Sequence, residues 1–331
     1  MRRQTVSFDD VLLVPQMSDI TSRSQVDISS RLGTREFSLP ILSSPMDTVT
    51  GGAMTWTMGS MGGLGILHRY CSIDDQVDMA HEQSAAAVGI TGDYLERVDI
   101  LKKFGVKIFC LDVAHGHHKL MKDALQKLRD KHGDSITIIA GNVATSQGYA
   151  DLSEWGADAV RIGIGGGSIC STRIQTGHGV PTFQSVLDCR DVDGATIIAD
   201  GGIRTAGDIV KSLAAGADFV MLGSMLAGTD QSPGDVFQNN EGKKYKVYRG
   251  MASVEAQKDW RGEAKSLEGI STTIPYKGSV VDILESLATN IKSGLSYSGA
   301  RNIRELQAKA RFIAQSSAGQ SESNTHILNR R

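Results

Sequence analysis

"TIIADGGIRTAGDIVKSLAAGADFVMLGSMLAG", residues 196–228, is the stretch on which the fold turns. A β-branched apolar run, 196–203, ends in paired glycines, and a second run, 219–228, ends in small residues. Between them "TAGDIVKSLAAGA" has helical periodicity, with Thr205 placed as N-cap and Gly216 as the C-terminal stop. Strand, glycine turn, helix and strand make a βα unit. The same unit recurs towards the N-terminus. Its strands are "LPILSSPM" (39–46), "GLGILH" (63–68), "AAAVGI" (85–90), "KIFCLDVA" (107–114), "TIIAGNVAT" (137–145) and "AVRIGIGGG" (159–167). Eight units in series predict an α/β fold, a (β/α)₈ TIM barrel. A doubly wound open sheet is the alternative; the first βα turn carries no GxGxxG to support it.

A chain of 331 residues with 40% hydrophobic and 22% charged residues suits a single catalytic domain, 1–331. Net charge −2 gives no footprint for nucleic acid or a membrane surface. No apolar run approaches the roughly 20 residues of a membrane span. Asp9 and Asp10 interrupt any signal-peptide core, so a cytoplasmic enzyme is expected. The four cysteines lack CxxC spacing, which argues for reduced thiols over a disulfide framework or a zinc site. Residues 229–278 are too long for a βα loop and read as a hairpin followed by a mobile flap over the barrel mouth. The polar tail, 314–331, is expected to be flexible unless a partner or ion orders it.

In such a barrel the C-terminal strand ends build the site, and the suggestive residues lie there. "GIGGGSICSTR" (163–173) sets four glycines ahead of Cys170. Glycine in a fixed conformation costs about 0.5–1 kcal/mol, so the run implies close approach of backbone to a ligand or ion. Cys170 is the candidate nucleophile, with Arg173 as a charge that favours the thiolate; a buried small hydrophobe is the plain alternative. Thr172 is a proton shuttle or a local hydrogen-bonding residue. Carbonyls of Gly165, Gly167 and Cys170 could ligate a monovalent cation. "ADGGIR" (199–204) and "LGSML" (222–226) suit a phosphate held by backbone amides. Asp200 suits a ribose diol, or else caps the next helix. Asp112, with Val113 and Ala114, is a second acidic strand end. His115, His117 and His118 lack a metal-site carboxylate pattern and read as solvated loop histidines.

"FDDVLLVP" (8–15), "MDTVT" (46–50), "GGLGILHR" (62–69), "DVAHGH" (112–117) and "GNVAT" (141–145), with the cysteine loop, "ADGGIR", "MLGSMLAGT" (221–229) and "YRGMAS" (248–253), resemble the family of IMP dehydrogenase and GMP reductase. The resemblance runs from about residue 5 to 328. It implies a TIM barrel, often tetrameric, in which the loop cysteine attacks C2 of a purine nucleotide. A thioimidate forms, and hydride passes between C2 and a nicotinamide cofactor. It makes Cys170 the nucleophile, Thr172 its relay and Glu268 the flap carboxylate working with that threonine. Ser44, Met46, Ser168, Asp200, Gly201, Gly202, Gly223, Ser224, Tyr248, Gly250, Met251 and Ala252 fall at substrate positions. Arg69, Asp112, Val113, Ala114, Asn142, Ile164 and Gly165 fall at cofactor positions. Ser22, Arg23, Ser293, Ser296 and Tyr297 do so from a neighbouring subunit. Gly165, Gly167, Cys170 and Arg173 mark a monovalent cation site, expected to take K⁺. One departure is Gly166, where the family usually has proline; it is expected to loosen the loop.

The family's oxidative branch hydrolyses its intermediate and uses an Arg-Tyr pair on the flap. "MASVEAQKDWRGEAKSLE" (251–268) has no Arg-Tyr, only Arg261. "LHRYCSIDDQVDMAHEQSAAAVGI" (67–90) runs from strand two to strand three without the regulatory insertion common in dehydrogenases. "SRSQVDIS" (22–29) and "KSGLSYSGA" (292–300) also resemble reductase cofactor segments, whereas "DVAHGH", "DGGIR", "GSMLAGT" and the tail look dehydrogenase-like. The missing hydrolytic pair weighs most. The expectation is a homotetramer that converts GMP to IMP and ammonia with NADPH. NAD-dependent oxidation of IMP to XMP is the alternative, and a modified or deoxy purine nucleotide a further one. A barrel that binds nucleotide without catalysis, or one that binds flavin or a phosphosugar, would share the phosphate loops but does not require Cys170, Thr172 and Glu268 together.

Overall fold

Each of the eight apolar runs contains a strand in the computed structural model, which describes residues 4–264, 268–323 and 325. They are β1 (Ile41–Ser43), β2 (Leu64–Leu67), β3 (Ala85–Val88), β4 (Ile108–Asp112), β5 (Thr137–Val143), β6 (Ala159–Ile162), β7 (Thr196–Asp200) and β8 (Phe219–Leu222). The strands are parallel and close into a barrel, with Val220 of β8 in register with Ile41 of β1. Small and β-branched side chains make this possible, because barrel strands are packed on both faces; β3, Ala-Ala-Ala-Val, is buried throughout. The helix between β7 and β8, Ala206–Ala214, starts in a capping box. Thr205 Oγ1 accepts from the Asp208 N–H, and Asp208 Oδ2 accepts from the Thr205 N–H, each at 3.1 Å.

Side chains on a strand alternate faces, and that alternation builds the site. Leu42, Ile108, Cys110, Ala159, Ile198, Phe219 and Met221 belong to one buried cluster inside the barrel. Leu32 and Phe37, from the hairpin Ser30–Leu32/Arg35–Phe37, join that cluster where the strands begin. Phe37 meets Phe219 edge-on, with ring centroids 5.8 Å apart. Two residues further along each strand, the same inward face presents Ser44, Asp112, Arg161, Asp200 and Gly223. The apolar filling therefore gives way to a polar layer at the C-terminal mouth.

After β8 the chain leaves the barrel, as expected, but the excursion holds more regular structure than a hairpin and a flap. Phe237–Gln238, Lys244–Arg249 and Ser271–Pro275 form a three-stranded antiparallel sheet, and the helix Val254–Arg261 lies between its last two strands. Lys246 anchors it: its buried ammonium donates to the Thr229 and Ser232 carbonyls at 3.0 and 2.6 Å. Arg249 ties the sheet to the barrel, donating to Asp47 Oδ2 at 2.5 Å and to Asp259 Oδ2 at 2.5 Å.

The tail is likewise more ordered than its polarity suggests. Phe312–Ala314 pairs antiparallel with Val11–Leu13, and Ser317–Glu322 is helical. Gln315 explains this, donating from its backbone to the Asp10 carbonyl and from its side chain to the Asp9 carbonyl, at 2.9 and 2.7 Å. Residues 265–267 of the flap, and 324 and 326–331 of the tail, lie outside the described residues. Among the described residues no helix is long and apolar enough to cross a membrane.

Candidate active site

Cys170 follows β6 on the glycine loop, and its thiol donates to Thr172 Oγ1 at 3.2 Å. The Thr172 hydroxyl in turn donates to Glu268 Oε2 at 2.8 Å, across 96 positions of sequence. Backbone pairing holds the flap in that place. The Ser171 N–H donates to the Glu268 carbonyl at 2.9 Å, and the Ile270 N–H to the Ile169 carbonyl at 3.1 Å, bridging Cys170 to Gly269. Sulfur, hydroxyl and carboxylate form a chain along which a proton can pass.

Close packing explains the glycines. Gly163 has φ +146°, and a Cβ there would stand 1.9 Å from the Asp200 carbonyl oxygen. A Cβ on Gly166 would stand 2.6 Å from Thr182 Oγ1 and 3.2 Å from the Gly201 carbonyl carbon. A larger residue at 166 has no room while buried Thr182 stands beside it. Gly166→Ala is expected to displace the cysteine loop and lower kcat about 10- to 100-fold. Thr182→Ala in the same chain should restore part of that loss; steady-state assays of the two variants check it, and no restoration would separate the two positions.

A cavity of about 440 Å³ opens beside Cys170. Its wall contains all twelve expected substrate residues, from Ser44 and Met46 to Met251 and Ala252. Ser44, Met46 and Tyr248 surround Gly223. Burial pushes the Tyr248 phenol up, against the Ser168 hydrogen bond that lowers it. Arg69, Asp112, Val113, Ala114, Asn142, Ile164 and Gly165 line the same cavity. Ser22, Arg23, Ser293, Ser296 and Tyr297 do not. The turn Arg23–Gln25 instead packs on the helix Val280–Tyr297, whose Tyr297 is 66% exposed.

Asp200 does not cap the following helix, which Thr205 does. Its Oδ2 accepts from Arg161 Nη2 at 2.8 Å, Arg161 Nε at 3.2 Å and Asn142 Nδ2 at 2.7 Å. Arg161 Nη1 reaches across to Asp112 Oδ1 at 2.6 Å, and Arg69 Nη2 donates to the Asp112 carbonyl at 3.2 Å. Burial opposes the charge on Arg161, but the Asp200 and Asp112 carboxylates more than offset it and hold the guanidinium above the usual arginine range. Burial pushes the Cys110 thiol up to about 11, leaving it neutral beside that network. The sequence reading missed Arg161; the signal was an arginine inside the otherwise apolar strand "AVRI". It also passed over Tyr70 and Trp260, which line the cavity with rings 5.2 Å apart and Arg69 beside both.

Arg173 donates to the Val180 and Ile164 carbonyls at 2.8 and 3.4 Å; among the described residues no hydrogen bond joins it to the Cys170 sulfur. The Gly167 carbonyl accepts from the Cys170 N–H at 3.1 Å. Two of the three loop histidines are engaged by the protein. His117 Nε2 contacts Asp151 Oδ2 at 2.7 Å, and His118 caps a helix by accepting from the Leu120 N–H at 3.0 Å. Among the described residues no group of three or more His, Cys, Asp or Glu is placed to hold a metal.

A TIM barrel whose mouth sets a thiol, a hydroxyl and a carboxylate in series beside a cavity has the architecture of an enzyme site. Residues 5–326 match the IMP dehydrogenase / GMP reductase domain. The chain is 34% identical to the inosine-5'-monophosphate dehydrogenase of Nitrosopumilus maritimus, over 98% of both chains. It is 31% identical to the GMP reductase of Leishmania major, over 98% of this chain and 97% of the relative. Its fold matches the crystal structure of the C318A GMP reductase of Trypanosoma brucei in complex with guanosine 5'-monophosphate, with a TM-score of 0.94, 30% identity and 98% coverage of each chain. The protein is an oxidoreductase of the IMP dehydrogenase / GMP reductase family, to which this chain belongs.

Proposed function

We propose that this protein is a GMP reductase, converting GMP to IMP and ammonia with NADPH. The observation that supports this reading is the Cys170–Thr172–Glu268 relay, combined with a flap that has no Arg-Tyr pair to activate water. Asp200 would hold the ribose hydroxyls through Oδ1, since Oδ2 is taken by Arg161 and Asn142. Backbone around Gly201, Gly202, Gly223 and Ser224 would hold the phosphate. Cys170 sulfur then bonds to C2, and the 2-amino group leaves as ammonia once Thr172 and Glu268 have passed it a proton. NADPH, when bound, supplies hydride to C2. The C–S bond breaks, IMP departs and the thiolate is restored. Each step needs a nucleophile, a proton relay and a site closed to water.

The cavity wall suits the nicotinamide end of such a cofactor. Among the described residues Arg69 Nε and Trp260 Nε1 are buried donors without a hydrogen-bond partner, and a carboxamide oxygen would satisfy either. Gly165, Gly167 and Cys170 would offer carbonyls to K⁺, whose role would be to hold the loop. Ser22, Arg23, Ser293, Ser296 and Tyr297 would meet the cofactor of an adjoining barrel, which calls for an assembled form; a cytoplasmic homotetramer is the reading the family resemblance supports. The dehydrogenase reading rests on Arg261 as the candidate water-activating base; it lines the cavity and stacks 4.8 Å over Trp260.

Purified protein is expected to oxidise NADPH in the presence of GMP, with one ammonia released per turnover and a tetramer in light scattering. Little or no steady-state NADH is expected from IMP and NAD⁺. Sustained XMP formation that Arg261→Ala removes would establish the dehydrogenase instead.

A further inference from the structure

Four charged side chains at the barrel mouth form a continuous chain: Arg69, Asp112, Arg161 and Asp200. Arg161 is its centre. It projects inward from β6, 8% of its side chain is exposed, and its fork engages a carboxylate at each end. Towards β7, Nε and Nη2 both donate to Asp200 Oδ2; towards β4, Nη1 donates to Asp112 Oδ1. Arg69 Nε stands 3.7 Å from the other oxygen of Asp112 and continues the chain towards Tyr70 and Trp260. Two arginines and two aspartates balance in charge, so no member can be neutralised or moved without leaving the others uncompensated in a buried place.

We propose that Arg161 is a positioning residue that couples the nucleotide side of the cavity to the cofactor side by setting Asp200 and Asp112 as one unit. The inference rests on the reading above, in which Asp200 holds the nucleotide ribose and Asp112 faces the cofactor. Arg161 occupies Oδ2 of Asp200 and so turns Oδ1 to the cavity, where it can take a diol. How firmly it does so depends on its hold on Asp112, because both bonds come from one rigid planar group. Loss of the Asp112 charge therefore reaches the nucleotide without contact between the two. Binding free energies are reciprocal, so the nucleotide's hold on Asp200 reaches the cofactor wall in the same way.

The test is the affinity of GMP for the full-length protein without cofactor, by calorimetry, in the wild type, Asp200→Asn, Asp112→Asn, Arg161→Lys and the Asp112→Asn/Arg161→Lys double variant. Lysine keeps the positive charge and removes the fork. Melting temperatures of the apo proteins establish that each is folded. Asp200→Asn is expected to weaken GMP binding, as is Asp112→Asn, the latter by about fivefold, the low end of measured site-to-site couplings. In the Arg161→Lys background, Asp112→Asn should change GMP affinity by less than about twofold, because the connection is already lost. An unchanged affinity in Asp112→Asn overturns the coupling while leaving the nucleotide reading intact. A fivefold loss that persists in the Arg161→Lys background means that Asp112 acts on GMP directly and also overturns it. Unchanged affinity in Asp200→Asn removes the ribose assignment, and the coupling with it.

Discussion

Cys170→Ala is expected to lower turnover by on the order of 10⁴-fold or more, as removal of a catalytic nucleophile does, while GMP affinity stays within about threefold of wild type. The asymmetry follows from the geometry. In the proposed reaction sulfur is the atom that bonds C2, whereas the expected ribose and phosphate contacts come from β7, β8 and the flap strand. The Cys170 thiol donates only to Thr172, so its removal leaves the Asp200–Arg161–Asn142 network untouched. Alanine also keeps a Cβ and the backbone turn that closes on the Gly167 carbonyl. Steady-state rates with GMP and NADPH, together with calorimetric titration of GMP, check the two halves separately. Residual turnover above about 1% would be incompatible with a covalent mechanism through this residue.

The second large effect is expected at Glu268. Glu268→Gln keeps an oxygen that can accept from the Thr172 hydroxyl but cannot take up and return a proton at neutral pH. Loss of a positioned proton carrier is worth about 10²–10⁴-fold, and the loss should fall on the step that expels ammonia. Hydride transfer needs no proton from this chain. The variant should therefore lose about 100-fold or more in the steady-state reaction of GMP, measured as ammonia release. The single-turnover burst of NADPH from IMP and NADP⁺ should slow by less than about tenfold. Equal slowing of both would mean that Glu268 places the flap and does not carry the proton.

Much of this architecture is legible along the chain because it depends on local chemistry. The eight strands were readable because a strand packed on both faces must be apolar throughout, and "AAAV" or "TIIA" can be little else when glycine follows. Thr205 and Asp208 announce their helix start three residues apart. The cysteine loop was readable as a site because four glycines before a thiol imply close approach of backbone to a neighbour; the structure adds that packing itself requires Gly163 and Gly166. The described part of the tail holds more regular structure than its composition suggests: Gln315 reaches Asp9 and Asp10 at the far end of the chain, a contact composition does not record. The same holds for the packing at Gly166, whose neighbour Thr182 is sixteen positions away.

By itself, the sequence determined the barrel, the order of its units, and which strand ends would carry a thiol, two carboxylates and two glycine-bearing loops. These follow from periodicity and from glycine placement, both properties of neighbours along the chain. The resemblance paired Glu268 with Thr172 across 96 positions; how a backbone bridge from the flap brings them together was decided only by the tertiary structure. Only it decided that Arg161 joins Asp112 to Asp200, because barrel closure places β4, β6 and β7 so that their inward side chains converge at one mouth. The burial that makes that arginine tightly paired does not exist until the barrel has closed.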